Sequence, residues 1–363
     1  MMTTSTPDIQ STVRRTLAAK PPVHCGASGT WYTAVASLSS GTGSLPTEFA
    51  SARGDPSQGW ILITREPILG EVMVPDNVAI VHPHLVQILN AAWVNDLGGR
   101  RLFAQITSCA LAGAASLLPP DQVVAGWRPM ISAVASALAY LHALGLAHGA
   151  VHLNNIFWQA NTWQLGPSLC SQRITPADDL QALASLIGTD LRRIITDPSE
   201  KSLLTRLSAL CLAQDVAAAH ISVWAKGGIP AVLPPLQLQA PRIPLVERTQ
   251  VGYRFSIPPG ETMVFVTCVP HRAPRPGALV PVSDLELLGN LLDLSSEGDA
   301  VMPPVQQTVA VFCAEALDGI ATLSEHVLIH PPRDWGDLCV LLQPEGVVLH
   351  WFWPTDVQCR KMR

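Results

Sequence analysis

The sequence predicts an α+β chain built in two regions, a mixed α/β region followed by a mostly β, sandwich-like one. Three observations carry this expectation. Short apolar runs bounded by Gly, Pro or Asp/Asn come first and longer helical stretches follow them. A proline-rich stretch at 227–244 then interrupts the pattern, with Pro230, Pro234, Pro235, Pro241 and Pro244 behind the pair Gly227-Gly228. Beyond it, residues 245–363 return to the period-2 alternation of strands. A chain of 363 residues is long enough for two domains, each burying its own core.

Residues 1–20 are polar and Thr/Ser-rich without an apolar h-region, so they read as a flexible leader and not as a secretory signal. Residues 21–226 form the first domain. Trp60–Ile63, Val78–Val81 and Leu102–Ile106 read as strands, and Ser37–Gln58, rich in Ser, Gly, Pro and Asp, as a long surface loop. Helices are expected over Val123–Leu144, Asp178–Ile195 and Ser202–Gln214. Met130–Ala147 is uncharged and long enough to span a bilayer. It is Ala-rich, however, and holds Ser132, Ser136 and His142, so a completely buried helix is the better reading. The proline-rich residues 227–244 form a semi-rigid linker. Within 245–363, Thr262–Val269, Thr308–Phe312 and Val347–Trp353 alternate as strands. A short helix is expected over Val282–Leu292, capped by Ser283, with Leu285, Leu288, Leu291 and Leu292 on one face.

Composition narrows the function. Lys+Arg 23 against Asp+Glu 28 gives a net charge of −5, which excludes a broadly basic nucleic-acid binder. An apolar share of 48% with 14% charged residues argues against disorder for most of the chain. The eight cysteines are scattered without C-x-x-C or Cys/His spacing, and His82 and His84 are not arranged as ligands, so no metal site is expected. Reduced, buried thiols point to a cytoplasmic protein, with no membrane attachment expected.

Several segments, in order, resemble a protein kinase of the bacterial Ser/Thr type. His82-Pro83-His84-Leu85-Val86-Gln87-Ile88-Leu89 is similar to the segment leading into the fourth strand of the N-lobe. Met130–Gly145, with Tyr140-Leu141-His142, resembles the long C-lobe helix, and Ala147–Ile156 resembles the catalytic loop that follows it. Asp179-Leu180-Gln181-Ala182-Leu183 and Leu207–Asp215 resemble two later C-lobe segments. The resemblance implies a two-lobed kinase-like fold over about 200 residues.

It also implies which residues phosphoryl transfer would need: a Lys on the nucleotide phosphates, an Asp near the attacking hydroxyl, and an Asp and Asn on Mg²⁺. Ala150 falls at the catalytic Asp position and His152 at the catalytic-loop Lys position, while Asn155 keeps the metal-binding Asn. The second acid belongs near Trp163–Ser168, where the register is open, yet residues 122–177 contain neither Asp nor Glu. No lysine lies between Lys20 and Lys201, so the third strand, Trp60–Arg65, offers Thr64 or Arg65. Gly26 and Gly29 make a poor glycine-rich loop, and Glu71 is the candidate for the helix-C acid. Ser168 to Asp178 is short and lacks the usual end of an activation segment. A nucleotide cleft, if formed, would draw on Gly26, Gly29, Arg65 and Asn155. His148 and Asp179 would serve the fold by supporting the loop.

The C-terminal region more loosely resembles the fibronectin-III-like modules of bacterial proteins. Tyr253–Gly260 and Leu349–Pro354 look like two starts of one strand-plus-turn motif, the second adding an edge strand. The expectation is a catalytically inactive scaffold or allosteric regulator that binds a protein partner, with ATP·Mg²⁺ weak or absent and no resident cofactor. The alternative is an atypical ATP-binding Ser/Thr kinase or nucleotide switch using Arg65, Asn155 and an acid such as Asp178.

Overall fold

The computed structural model describes residues 23–25, 30–38, 47–52, 60–64, 80–96, 101–109, 114–159, 161–166, 174–213, 215–230, 241, 245–249, 252–256, 263–293, 299–331, 338–343 and 346–351. Six antiparallel strands come first: β1 (Val23–Cys25), β2 (Thr30–Leu38), β3 (Thr47–Ala52), β4 (Trp60–Thr64), β5 (Ile88–Asp96) and β6 (Arg101–Cys109). They close into a barrel in the order β1-β2-β3-β4-β6-β5, with β1 pairing both β2 and β5. Strand β3 corrects the expected loop over Ser37–Gln58: Thr47–Ala52 pairs residue by residue with β2 and β4. Ile80 and Val81 are not in a strand, which corrects the expected Val78–Val81 run over its described part.

The helical unit follows. α1 (Pro120–Ala143) starts behind Pro119, with Pro120 at a position where a missing N–H costs nothing. From Met130 to Leu141 every residue of α1 is buried, so the uncharged run is core packing on all faces. Among the described residues, no helix is long and apolar enough to cross a membrane. The hairpin β7 (Ile156–Gln159) and β8 (Thr162–Leu165) comes next. α2 (Pro176–Ser185) opens with a reciprocal cap between Thr175 and Asp178 and runs on through a π-helical turn to Ile194. α3 (Pro198–Cys211) is capped by Asp197. It is tied to α1 by Glu200, which accepts from Trp127 Nε1 at 2.9 Å and from Arg128 Nη2 at 2.6 Å. α4 (Ala218–Gly227), which the sequence analysis did not place, packs along α1.

The C-terminal region adds β9 (Leu245–Thr249), β10 (Gly252–Ser256), β11 (Met263–Cys268), β12 (Leu279–Pro281), the single turn α5 (Leu285–Leu288) and β13 (Asn290–Leu291). β14 (Ala300–Met302), β15 (Val309–Leu317), β16 (Ile320–Leu323) and β17 (Val327–Ile329) complete it. The three-stranded sheet β14-β10-β9 faces a sheet ordered β12-β16-β15-β11-β13, with β17 also on β15. Alternation along β11 and β15 explains the layering. Met263, Phe265, Val311 and Cys313 pack toward Phe255, Ala300 and Met302 of the small sheet. Val266, Cys268, Ala310, Phe312 and Ala314 join the core of α1, α2 and α4. The larger sheet is therefore buried on both faces, and each large apolar side chain it seals contributes about 1.5–3 kcal/mol. Burial also pushes the Cys211 thiol up to about 12 and the Cys268 thiol up to about 11, so both stay protonated.

The helix expected over Val282–Leu292 is corrected to one turn. Gly289 brings its backbone against the Thr267 carbonyl, leaving no room for a Cβ, and Asn290–Leu291 then pair with β11 as a strand. Leu291 is exposed, unlike Leu285 and Leu288. β18 (Leu338–Gln343) and β19 (Gly346–Trp351) pair with each other alone among the described strands, so the second aromatic motif makes a separate hairpin. The leader 1–20 lies outside the described residues, as does most of the linker 227–244.

Candidate functional site

The site is the loop between α1 and β8, and its shape begins at the end of α1. Gly145, at φ +79°, takes the left-handed conformation that lets the chain leave the helix, with its N–H bonded to the His142 carbonyl at 2.9 Å. The chain then passes His148, turns at Gly149 (φ +80°), and makes one 3₁₀ turn at Leu153–Asn155 before entering β7.

Four groups lock this path. The Asp179 carboxylate, from the first turn of α2, accepts from the His148 N–H and the Gly149 N–H, each at 2.7 Å. It also accepts from His142 Nε2 at 3.0 Å. Burial alone would raise the Asp179 pKa, but the His142 hydrogen bond and the two amides bring it below the ordinary value. His148, fully buried, accepts from the Ala150 N–H at Nδ1 (3.1 Å) and donates from Nε2 to the Gly166 carbonyl (2.9 Å). That pattern defines a neutral imidazole, in keeping with a pKa lowered by burial. Asn155 donates from Nδ2 to the Ala150 carbonyl at 2.9 Å, and its own carbonyl accepts from the Gly166 N–H at 2.7 Å.

Gly166, directly after β8, lies against this clamp. A Cβ placed there would run into Asn155 Oδ1 and lie 2.8 Å from Phe157 Cε2. The residue facing the Asn155 side chain is thus a glycine, while the Asn155 amide itself donates to the Ala150 carbonyl. His152 is half-buried, and its Nδ1 has no hydrogen-bond partner among the described residues. Burial takes its pKa down to about 4, so it carries no charge at neutral pH. Asp178, the acid of the alternative reading, is spent elsewhere: its Oδ2 accepts from the Thr175 N–H and the Thr175 hydroxyl, each at 2.7 Å.

His148, Ala150, His152, Asn155 and Asp179 therefore come together. Gly26, Gly29, Arg65 and Glu71 lie outside the described residues. Among the described residues, no group of three or more His, Cys, Asp and Glu could hold a metal ion. Asp179, His148 and Asn155 are each engaged in holding the loop's backbone.

A second polar cluster, which sequence reasoning missed, lies behind the loop. Asp284, in the turn before α5, accepts from Ser136 Oγ of α1 at 2.5 Å and from His82 Nε2 at 3.4 Å. His82 Nδ1 accepts from the His84 N–H at 3.1 Å. Residues 84–86 pair in parallel with β8 through Leu165, so this cluster and the loop share a strand. Its members lie 148 and 202 residues apart from Asp284 in sequence, a separation no local pattern reveals.

No protein family matches the chain. No curated protein matches it either. Solved structures similar to it include kinase domains of Mycobacterium tuberculosis PknI. A double mutant of that domain is 20% identical, with 58% of this chain and 98% of that chain covered at a TM-score of 0.37. Another PknI kinase domain is 19% identical with the same coverage and TM-score. A third is 17% identical, with 55% and 96% covered at a TM-score of 0.35. At TM-scores this low the likeness says nothing of activity.

Proposed function

We propose that residues 21–226 are a kinase-like unit that has lost phosphoryl transfer and works as a scaffold or allosteric regulator by binding a protein partner. The observation that carries this reading is the glycine at 166 beside Asn155, with Ala150 on the adjoining loop. Phosphoryl transfer is positioning plus electrostatic stabilisation, and its metal is held by carboxylate. Here residues 122–177 supply none, and the nearest acids, Asp178 and Asp179, are committed to Thr175 and to loop amides. Retention of His148, Asn155 and Asp179 beside the loss of the acids fits selection for the loop's shape and not for its chemistry. In this reading the fibronectin-III-like region is part of the same scaffold, its larger sheet sealed onto α1 and α4.

A thermal melt with ATP, with and without Mg²⁺, tests the proposal. A ligand at a hundred times its Kd stabilises the folded state by about 2.7 kcal/mol. The expected result is no Mg²⁺-dependent shift. A Mg²⁺-dependent shift, or radiolabel transfer from ATP that disappears in Asn155→Ala, overturns it.

A further inference from the structure

A groove of about 610 Å³ lies between the first half of α1, the β7–β8 hairpin and the end of α4. Its floor is α1 at Ala125, Gly126, Pro129 and Ala133, small residues that let a ligand approach the helix backbone. Pro129 has no N–H, so the Ala125 carbonyl beneath the groove cannot receive its usual helical bond from that residue. The wall is aromatic. Trp163 lies flush on the floor, its Cζ2 3.1 Å from where a Gly126 Cβ would stand. Its cross-strand partner Trp158 is 41% exposed, with ring centroids 5.0 Å apart and planes at 59°. An indole this exposed beside a small-residue floor offers a stacking surface.

The groove is distinct from the loop around Asn155. Phe157 points toward Gly166 and Asn155, and strand alternation sends Trp158 to the other face of the hairpin. Charge then selects the ligand. Among the described residues, none that lines the groove is acidic. Lys226, in the last turn of α4, is the cation at the rim and makes no ion pair among the described residues. His84 donates from Nδ1 to the Trp163 carbonyl at 3.0 Å, which anchors the wall. We propose that this groove binds a planar aromatic anion of the aromatic-carboxylate class, its ring stacked on Trp158 over the Ala125–Ala133 floor and its carboxylate paired with Lys226. The volume suits such a ligand, since small-molecule sites run about 300–1,000 Å³.

Calorimetric titration of the full chain with 2-naphthoate and with its neutral analogue 2-naphthylmethanol tests the assignment. The expected result is saturable one-to-one binding, with naphthoate the tighter. Trp158→Ala should weaken both compounds about tenfold or more, as loss of a stacking face does. Lys226→Met should weaken naphthoate roughly two- to fivefold, the range of an exposed ion pair, and leave naphthylmethanol unchanged. Both side chains are exposed, so thermal melts of the two variants should match the parent. Absence of saturable binding at millimolar ligand, or affinity indifferent to Trp158→Ala, overturns the site. Equal affinity of Lys226→Met and parent for naphthoate overturns its preference for an anion.

Discussion

Two buried carboxylates do opposite kinds of work in this protein. Asp179 is 1% exposed and, besides the His142 ring, binds backbone: the N–H groups of His148 and Gly149, about thirty residues away. Asp284 is 4% exposed and binds side chains: Ser136, His82 and its neighbour Ser283. In each, burial pushes the pKa up and hydrogen bonds more than reverse it, led by His142 for Asp179 and by His82 for Asp284. The first fixes the path of one loop. The second joins the segment before β5, the long helix α1 and the C-terminal sheets across the shared core. The difference teaches what can be removed. Amides cannot be mutated away, so Asp179 has no apolar substitute, whereas the partners of Asp284 can be replaced together.

The largest effect is therefore expected at Asp179. Asp179→Ala leaves two amides buried without an acceptor and should cost about 3–5 kcal/mol, read from urea denaturation. Amide exchange at residues 148 and 149 should rise with it. Because both folded-state pKa values are depressed, the stability these acids give is fully present above their unfolded values. It is lost as pH falls through the folded ones, below about 4. Asp284→Ala should cost less, about 2–3 kcal/mol, and should raise exchange in residues 82–87 and 275–288 while leaving 148–155 protected. The triple variant His82→Leu/Ser136→Ala/Asp284→Ala should recover at least half of that loss. A triple variant no more stable than Asp284→Ala would show that the cluster cannot be exchanged for apolar packing, and the contrast with Asp179 would fall.

How far these features were legible in the sequence follows the same division. Local signals were readable: the uncharged run of α1 as a buried helix and the alternating strand at Thr262–Val269. Composition misled where it hid alternation, as in Thr-Glu-Phe-Ala-Ser-Ala of β3 inside a Ser/Gly-rich stretch. The leucine spacing of Val282–Leu292 suggested a longer helix because periodicity does not reveal that Gly289 lies against another strand's carbonyl. Motif order brought His148, Asn155 and Asp179 into view as one set. The contact of Gly166 with Asn155 stayed hidden because it joins residues that no local pattern pairs. The Asp284 cluster and the Trp158–Lys226 groove were out of reach, since both depend on contacts between distant segments.

Gly166 offers the next test, smaller than either aspartate. Gly166→Ala places a methyl against Asn155 Oδ1 and the Phe157 ring, so Asn155 must turn away from the Ala150 carbonyl. Loss of that bond plus steric shift should cost about 1–3 kcal/mol. Exchange at residues 150–155 should increase while the Asp179-bound amides of 148 and 149 stay protected, which separates the two halves of the loop clamp.

The smallest effect at neutral pH, and one of opposite sign, is expected at His152. Its Nδ1 is buried without a partner among the described residues, so a leucine of similar bulk removes a cost and not a contact. His152→Leu should stabilise the fold by about 1 kcal/mol at pH 7. The pH dependence sharpens the point. In the unfolded chain His152 takes up a proton near pH 6.5, while in the folded protein it does so only at about 4. Between those values the unfolded state holds the extra proton, so stability falls as pH drops through that window. His148 adds to the same slope, its pKa also lowered by burial. Urea midpoints of parent and His152→Leu should therefore diverge from pH 6.5 down to about pH 4 and run parallel below it. If the two curves stay parallel across the whole range, His152 is hydrogen-bonded or solvated in solution, and the loop is not sealed there.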